Sequence, residues 1–134
     1  MKKKLFMLVF FVSGLFLLSA TTPDGTKAAW VAPATAKTIV NPLKADKTLL
    51  ADATKIFKTQ CVTCHGEKGM GDGPASPYLG TKVANLDSKQ VQAQTDGEIF
   101  WKISEGKTPM PSFKTLLNDN DRWKMVIFVK NLKH

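Results

Sequence analysis

The stretch Cys61-Val62-Thr63-Cys64-His65 holds both cysteines of the chain and one of its two histidines. Two thiols three positions apart, with an imidazole directly after them, read as an attachment site for a c-type haem. Each sulfur closes a thioether bond on one edge of a porphyrin. The next side chain then projects under the ring, where its nitrogen reaches the iron. Two other chemistries use similar residues. A redox Cys-x-x-Cys pair needs no histidine after it. A four-ligand zinc site needs a further donor, and the remaining histidine, His134, is the last residue with no partner near it in sequence.

A second group able to bind a metal is Met110, in Lys107-Thr108-Pro109-Met110-Pro111-Ser112-Phe113. A lone methionine is usually core filler. Here a proline stands on each side, and each removes a backbone donor and disfavours helix at the residue before it. Filler gains nothing from such a rigid mount, whereas a metal ligand does. Met70 and Met125 are the competing thioethers. Met70 sits five residues from His65, too close to reach the opposite face of a ring easily, and Met125 falls inside a helical stretch.

Helical patterns surround these groups. From Lys47 to Gln60, Leu49, Ala53, Ile56 and Phe57 recur at three- and four-residue steps, with Asp46 as N-cap. That helix delivers Cys61 from its apolar side. Gly66, Gly69, Gly71 and Gly73 then exclude regular structure and allow close approach to a flat ligand. A phosphate-binding loop is the weaker reading, since no strand precedes it and no Gly-Lys-Ser/Thr ends it. Pro74 to Leu86 reads as loop or short helix, with Pro77, Tyr78 and Leu79 as apolar cover. Thr95-Asp96-Gly97-Glu98 is a capping box that opens a helix ended by Gly106. Asn118 caps the last helix, with Asp119 and Asp121 in its first turn. Trp123, Val126, Ile127, Phe128 and Leu132 supply its apolar faces, and Lys124, Lys130 and Lys133 are expected in water.

The chain has 134 residues and a formal net charge of +8, which suggests one domain with a modest positive balance suited to acidic partners. No basic run interleaves with aromatics, so nucleic acid is not expected. Lys2, Lys3 and Lys4 precede an apolar run from Leu5 to Leu18, shorter than the ~20 residues of a bilayer span. Residues 1–20 therefore read as a secretory signal, with cleavage before Thr21 and a periplasmic or otherwise exported product. Membrane anchoring is expected only if that segment stays uncleaved. Residues 21–43, with Pro23, Pro33 and Pro42, read as an N-terminal arm that lies on the domain or is flexible, with Trp30 and Val31 as candidate anchors.

Taken together, Cys61-Val62-Thr63-Cys64-His65-Gly66, the Gly71-Asp72-Gly73-Pro74 loop, the Gly106-Lys107-Thr108-Pro109-Met110-Pro111 segment and a last helix with Trp123 and Phe128 resemble the class I cytochromes c, a single-haem family. The resemblance spans about residues 47–132 and places a cytochrome c domain at 44–134. It implies an all-α fold of three to five helices wrapped around one haem c held by Cys61 and Cys64. The first and last helices would cross, with Phe57 and Phe128 as candidates for the contact. It further implies His65 and Met110 as axial ligands. Pro74 resembles the proline whose carbonyl receives the ring N–H of the axial histidine, with Pro77 in reserve. The expected function is electron transfer without enzymatic turnover. The chain would act as a periplasmic carrier or as the cytochrome subunit of a respiratory oxidoreductase, with redox proteins or a membrane respiratory complex as partners. The alternatives are a haem-based small-ligand sensor or enzyme-associated haem domain in which Met110 dissociates, and a non-haem thiol protein.

Overall fold

A computed structural model describes residues 30–132. The expected secretory signal, its cleavage point and the first part of the arm lie outside the described residues, as do Lys133 and His134. Among the described residues there are five α-helices and no strand: α1 (Lys47–Gln60), α2 (Val62–His65), α3 (Lys89–Gln92), α4 (Asp96–Glu105) and α5 (Asp119–Asn131). Short 3-10 turns occupy Ala34–Thr38 and Ser76–Tyr78. This is the all-α architecture that the resemblance implies.

Local chemistry sets the three longer helices. Asp46 Oδ1 accepts the Leu49 N–H at 2.8 Å and starts α1. Thr95 and Glu98 form the capping box of α4 from both sides. Asn118 Oδ1 accepts the Asp121 N–H at 2.9 Å at the start of α5. Each device satisfies donors that a helix N-terminus otherwise leaves without partners.

Packing then decides the arrangement. α5 is buried on more than one side, because it lies against both α1 and α4. Toward α1, Met125 packs with Ala53 and Phe57, and the Phe57 and Phe128 rings stack with centroids 4.2 Å apart. Toward α4, Trp123, Val126 and Val129 meet Ile99, and Trp123 stacks on Phe100 at 3.8 Å. Leu86 and Ile103 pack on both clusters. Met125, 2% exposed, is a core side chain.

Several expectations about the surface are corrected. Lys130 does not stay in water: its Nζ donates to the carbonyls of Gln92 and Gln94, at 2.8 and 2.7 Å. It thereby holds the end of α3 against α5. Tyr78 is 87% exposed and covers nothing. In the arm, Val31 is 69% exposed, and the buried residues are Ala32 and Ala36. Ala36 is buried where the 3-10 turn lies backbone-close on α4 at Gly97, and Leu43 packs against the core cluster of Ile99, Trp123, Val126 and Val129. From Val31 onward the arm belongs to the same compact unit as the helices.

Candidate haem-attachment site

Cys61 ends α1 with φ −120°, and the chain restarts at once as the single turn of α2. The two thiols therefore sit at either end of one helical turn, closed by Cys64 N–H to Cys61 O at 3.1 Å and His65 N–H to Cys61 O at 2.9 Å. Both cysteines are free and half-buried. Cys61 packs against the Ala53, Phe57 and Met125 cluster, among partly buried Ile56, Val62, Leu86, Ile103, Leu117 and Phe128.

The glycine loop serves this turn. Its backbone returns to the carbonyls that α2 leaves free: Ala75 N–H to Thr63 O (2.9 Å), Gly73 N–H to Cys64 O (3.1 Å) and Gly71 N–H to His65 O (2.8 Å). At Gly73 a Cβ would come within 2.5 Å of the Thr63 and Val62 carbonyl oxygens, so only glycine fits. The close approach expected of these glycines is thus chain against chain, and it braces the turn that carries the thiols.

The segment Val83–Leu86 crosses the same loop, with Leu86 N–H donating to Gly69 O at 2.7 Å. This brings the Ala84 carbonyl oxygen 3.2 Å from His65 Nδ1. The resemblance pointed to Pro74 for that bond, with Pro77 in reserve; in this structure the oxygen beside Nδ1 is that of Ala84. The physical reason lies in the bonds just given. Gly73 and Ala75, on either side of Pro74, are tied to the backbone of Thr63 and Cys64. Pro74 is exposed and lines a groove of about 560 Å³ with Val62, Gly66, Met70 and Asp72, on which His65 does not border. No side-chain signal marks Ala84, because its contribution is a backbone oxygen.

A carbonyl oxygen only accepts, so Nδ1 carries the proton and Nε2 keeps its lone pair. Burial pushes the imidazole pKa below its ordinary value, and the bond to Ala84 offsets this in part. Burial thus favours the neutral imidazole, and the bond to Ala84 sets which of its nitrogens is free to ligate. Burial, with a smaller contribution from Cys64, raises the Cys61 thiol to about 12. A nucleophilic redox cysteine has its pKa depressed, so this environment counts against the redox-pair reading. Among the described residues no group of three or more His, Cys, Asp or Glu side chains is placed to hold a metal ion.

Met110 is half-buried, in the loop between α4 and α5. It exchanges two backbone hydrogen bonds with Lys107, at 3.0 and 2.9 Å, and the Thr108–Pro109 peptide between them is cis. Met70 is an exposed side chain in the glycine loop.

Two thiols on one turn, a neutral imidazole with a free Nε2 and an apolar surround are a donor set that fits a covalently held haem. Fold and site together define a c-type cytochrome domain. Residues 48–129 match the family model described as cytochrome C oxidase, cbb3-type, subunit III, and the chain belongs to that family. Membership implies haem-based electron transfer. Among solved structures, the chain is similar to one from the Kuenenia stuttgartiensis reducing HAO-like protein complex Kustc0457/Kustc0458. The identity is 27% and the TM-score 0.62, over 72% of this chain and 50% of that one. The chain thus spans about half the length of that relative. It is also similar to the KustC0563 c-type cytochrome, with 28% identity and a TM-score of 0.54 over 62% of this chain and 99% of that one. A comparison with curated proteins finds no match.

Proposed function

We propose that the chain carries one haem c, bound through Cys61 and Cys64 with His65 and Met110 as axial ligands, and passes single electrons between redox proteins outside the cytoplasm. When bound, the haem iron supplies the chemistry by taking up and releasing one electron. The chain's own residues set the conditions for it. Ala84 fixes the His65 tautomer, so Nε2 is the nitrogen offered to the metal. The Met110 thioether is a soft donor that favours the reduced iron and raises the potential. Were His65 and Met110 both to hold the iron, the chain would leave no place on it for a small ligand, which favours a carrier over a sensor or an enzyme. The apolar neighbours of Cys61 exclude water and further disfavour the charge of the oxidised state.

The observation that carries this reading is the His65 geometry beside two free thiols on one helical turn. The occurrence of a similar chain in a protein complex supports service as a subunit beside the free-shuttle role. The test is the protein made with a haem-attachment machinery. Mass spectrometry is expected to find one haem per chain and a mature start at Thr21, and a pyridine haemochrome spectrum of the two-thioether type. The ferric Met110→Ala protein is expected to lose the long-wavelength methionine–iron absorption band. Retention of that band would exclude Met110 as ligand, and absence of covalent haem would end the cytochrome reading.

A further inference from the structure

The loop that carries Met110 is fastened at one foot to the end of α4. Ser112 Oγ donates to the Ser104 carbonyl at 2.6 Å, and the Phe113 N–H donates to the Ile103 carbonyl at 3.2 Å. Both acceptors lie in the last turn of α4, where a helix leaves its carbonyls without internal partners. Phe113 is buried beneath this foot. A salt bridge from Lys114 to Glu105 closes the outside at 2.6 Å, but both groups are solvated and the pair contributes little.

Behind Ser104 stands Arg122, from the first turns of α5. Its Nη1 donates to Ser104 Oγ at 2.5 Å, and its Nη2 pairs with Asp119. The guanidinium carbon lies 4.9 Å from the Phe100 ring centroid. Arg122 is only 5% exposed, and its Nε has no hydrogen-bond partner. Its acidic partner among the described residues, Asp119, has a side chain 79% exposed. A cation buried this deeply against a solvated carboxylate, with one donor unmet, is an expensive way to fill space, and an apolar side chain would fill it at lower cost. What the guanidinium adds is direction. It fixes the Ser104 hydroxyl, in the residue whose carbonyl holds the Met110 loop.

We propose that Arg122 is a positioning residue for Met110. It acts through Ser104 and Ser112 to hold the loop foot, so that the thioether stays on the iron. This rests on Met110 being an axial ligand. Loosening the foot then lets the sulfur leave more often, and an external ligand that competes for its position binds faster.

The experiment uses the ferric holoprotein and imidazole, followed as the methionine–iron band disappears. Loss of one hydrogen bond of this kind is expected to speed imidazole binding by about threefold to tenfold in Ser112→Ala. Ser104→Ala is expected to do the same by cutting the link to Arg122, and Ser112→Thr to restore the parent rate. The two alanine changes made together are expected to accelerate less than the product of their separate effects, because they cut one chain of contacts. Arg122→Met removes the cation itself, but it also disturbs the α4–α5 contact, so the single hydroxyl deletions carry the test. Thr95→Ala, which weakens the far end of α4, serves as the control and is expected to leave the rate unchanged. Parent-like rates in both hydroxyl variants, or equal acceleration in Thr95→Ala, would overturn the proposal while Met110 ligation stands. A Met110→Ala protein that keeps its band would overturn the ligand reading and this proposal with it.

Discussion

A single backbone oxygen decides what His65 can do. The Ala84 carbonyl can only accept, so it selects the tautomer and leaves Nε2 free. Nothing in the residue types near position 84 announces this, because the bond is independent of the side chain. It arises from the path of residues 83–86 across the glycine loop. Apolar contacts were easier to read at the same scale. Phe57 is 2% exposed and stacks on Phe128, and the two were matched through the family resemblance. Truncating Phe57 removes the ring and leaves a cavity beside Ala53 and Met125. Phe57→Ala is expected to lower the unfolding free energy by about 3–5 kcal/mol. Urea unfolding followed by far-UV circular dichroism checks it, and a loss below about 1 kcal/mol would mean that the α1–α5 crossing is not packed as described.

Helices were legible wherever their boundaries are chemical. Asp46, Thr95 with Glu98, and Asn118 each stand in the sequence as caps, and each makes the bond its position implies. The elements that escaped sequence reading are held from outside themselves. α3 is one turn long. Gln92 Nε2 donates to the Leu86 and Val129 carbonyls, and Lys130 reaches the α3 end from another helix. The 3-10 turn of the arm is likewise fixed by contact with α4. The capping box can be tested by itself. Thr95→Ala deletes the oxygen that accepts the Glu98 N–H and is expected to cost about 1 kcal/mol in urea unfolding. Glu98 supplies a pH test. The bond donated by the Thr95 N–H to its carboxylate, assisted by Lys37 and Lys102, holds its pKa below the ordinary value despite an opposing effect of burial. Between the folded and ordinary values the unfolded chain binds more protons, so stability falls as pH falls through that window. Glu98→Gln lacks this titration. The parent is expected to be more stable at neutral pH, with the gap closing below the folded pKa of Glu98. A gap unchanged down to acidic pH would show that the carboxylate charge does not matter to the cap.

Across the whole compact unit, one approach joins the arm to the helices. At Gly97, in the first turn of α4, a Cβ would overlap the Ala36 carbonyl oxygen and crowd Ile39. Asn41 adds a bond from its Nδ2 to the Trp123 carbonyl at 3.3 Å, which ties the arm to α5 as well. The two terms in a Gly97→Ala change therefore oppose each other. In a free helix alanine is favoured over glycine by about 1 kcal/mol. Against this stands overlap with backbone atoms, which cannot turn aside as a flexible side chain would. Relief requires the arm to lift, exposing Ala32 and Ala36 and pulling Leu43 away from the core cluster of Ile99, Trp123, Val126 and Val129. Overpacking of this kind costs about 1–3 kcal/mol, enough to cancel or exceed the helical gain. The expected result is a lower thermal midpoint with helix content kept, and new protease cleavage between residues 31 and 45. Cys61, Cys64 and His65 all lie on α1, α2 and their junction, away from the arm in sequence, so covalent haem yield is expected to match the parent. A raised midpoint with the arm still protected would show that the contact at Gly97 does not hold the arm in place.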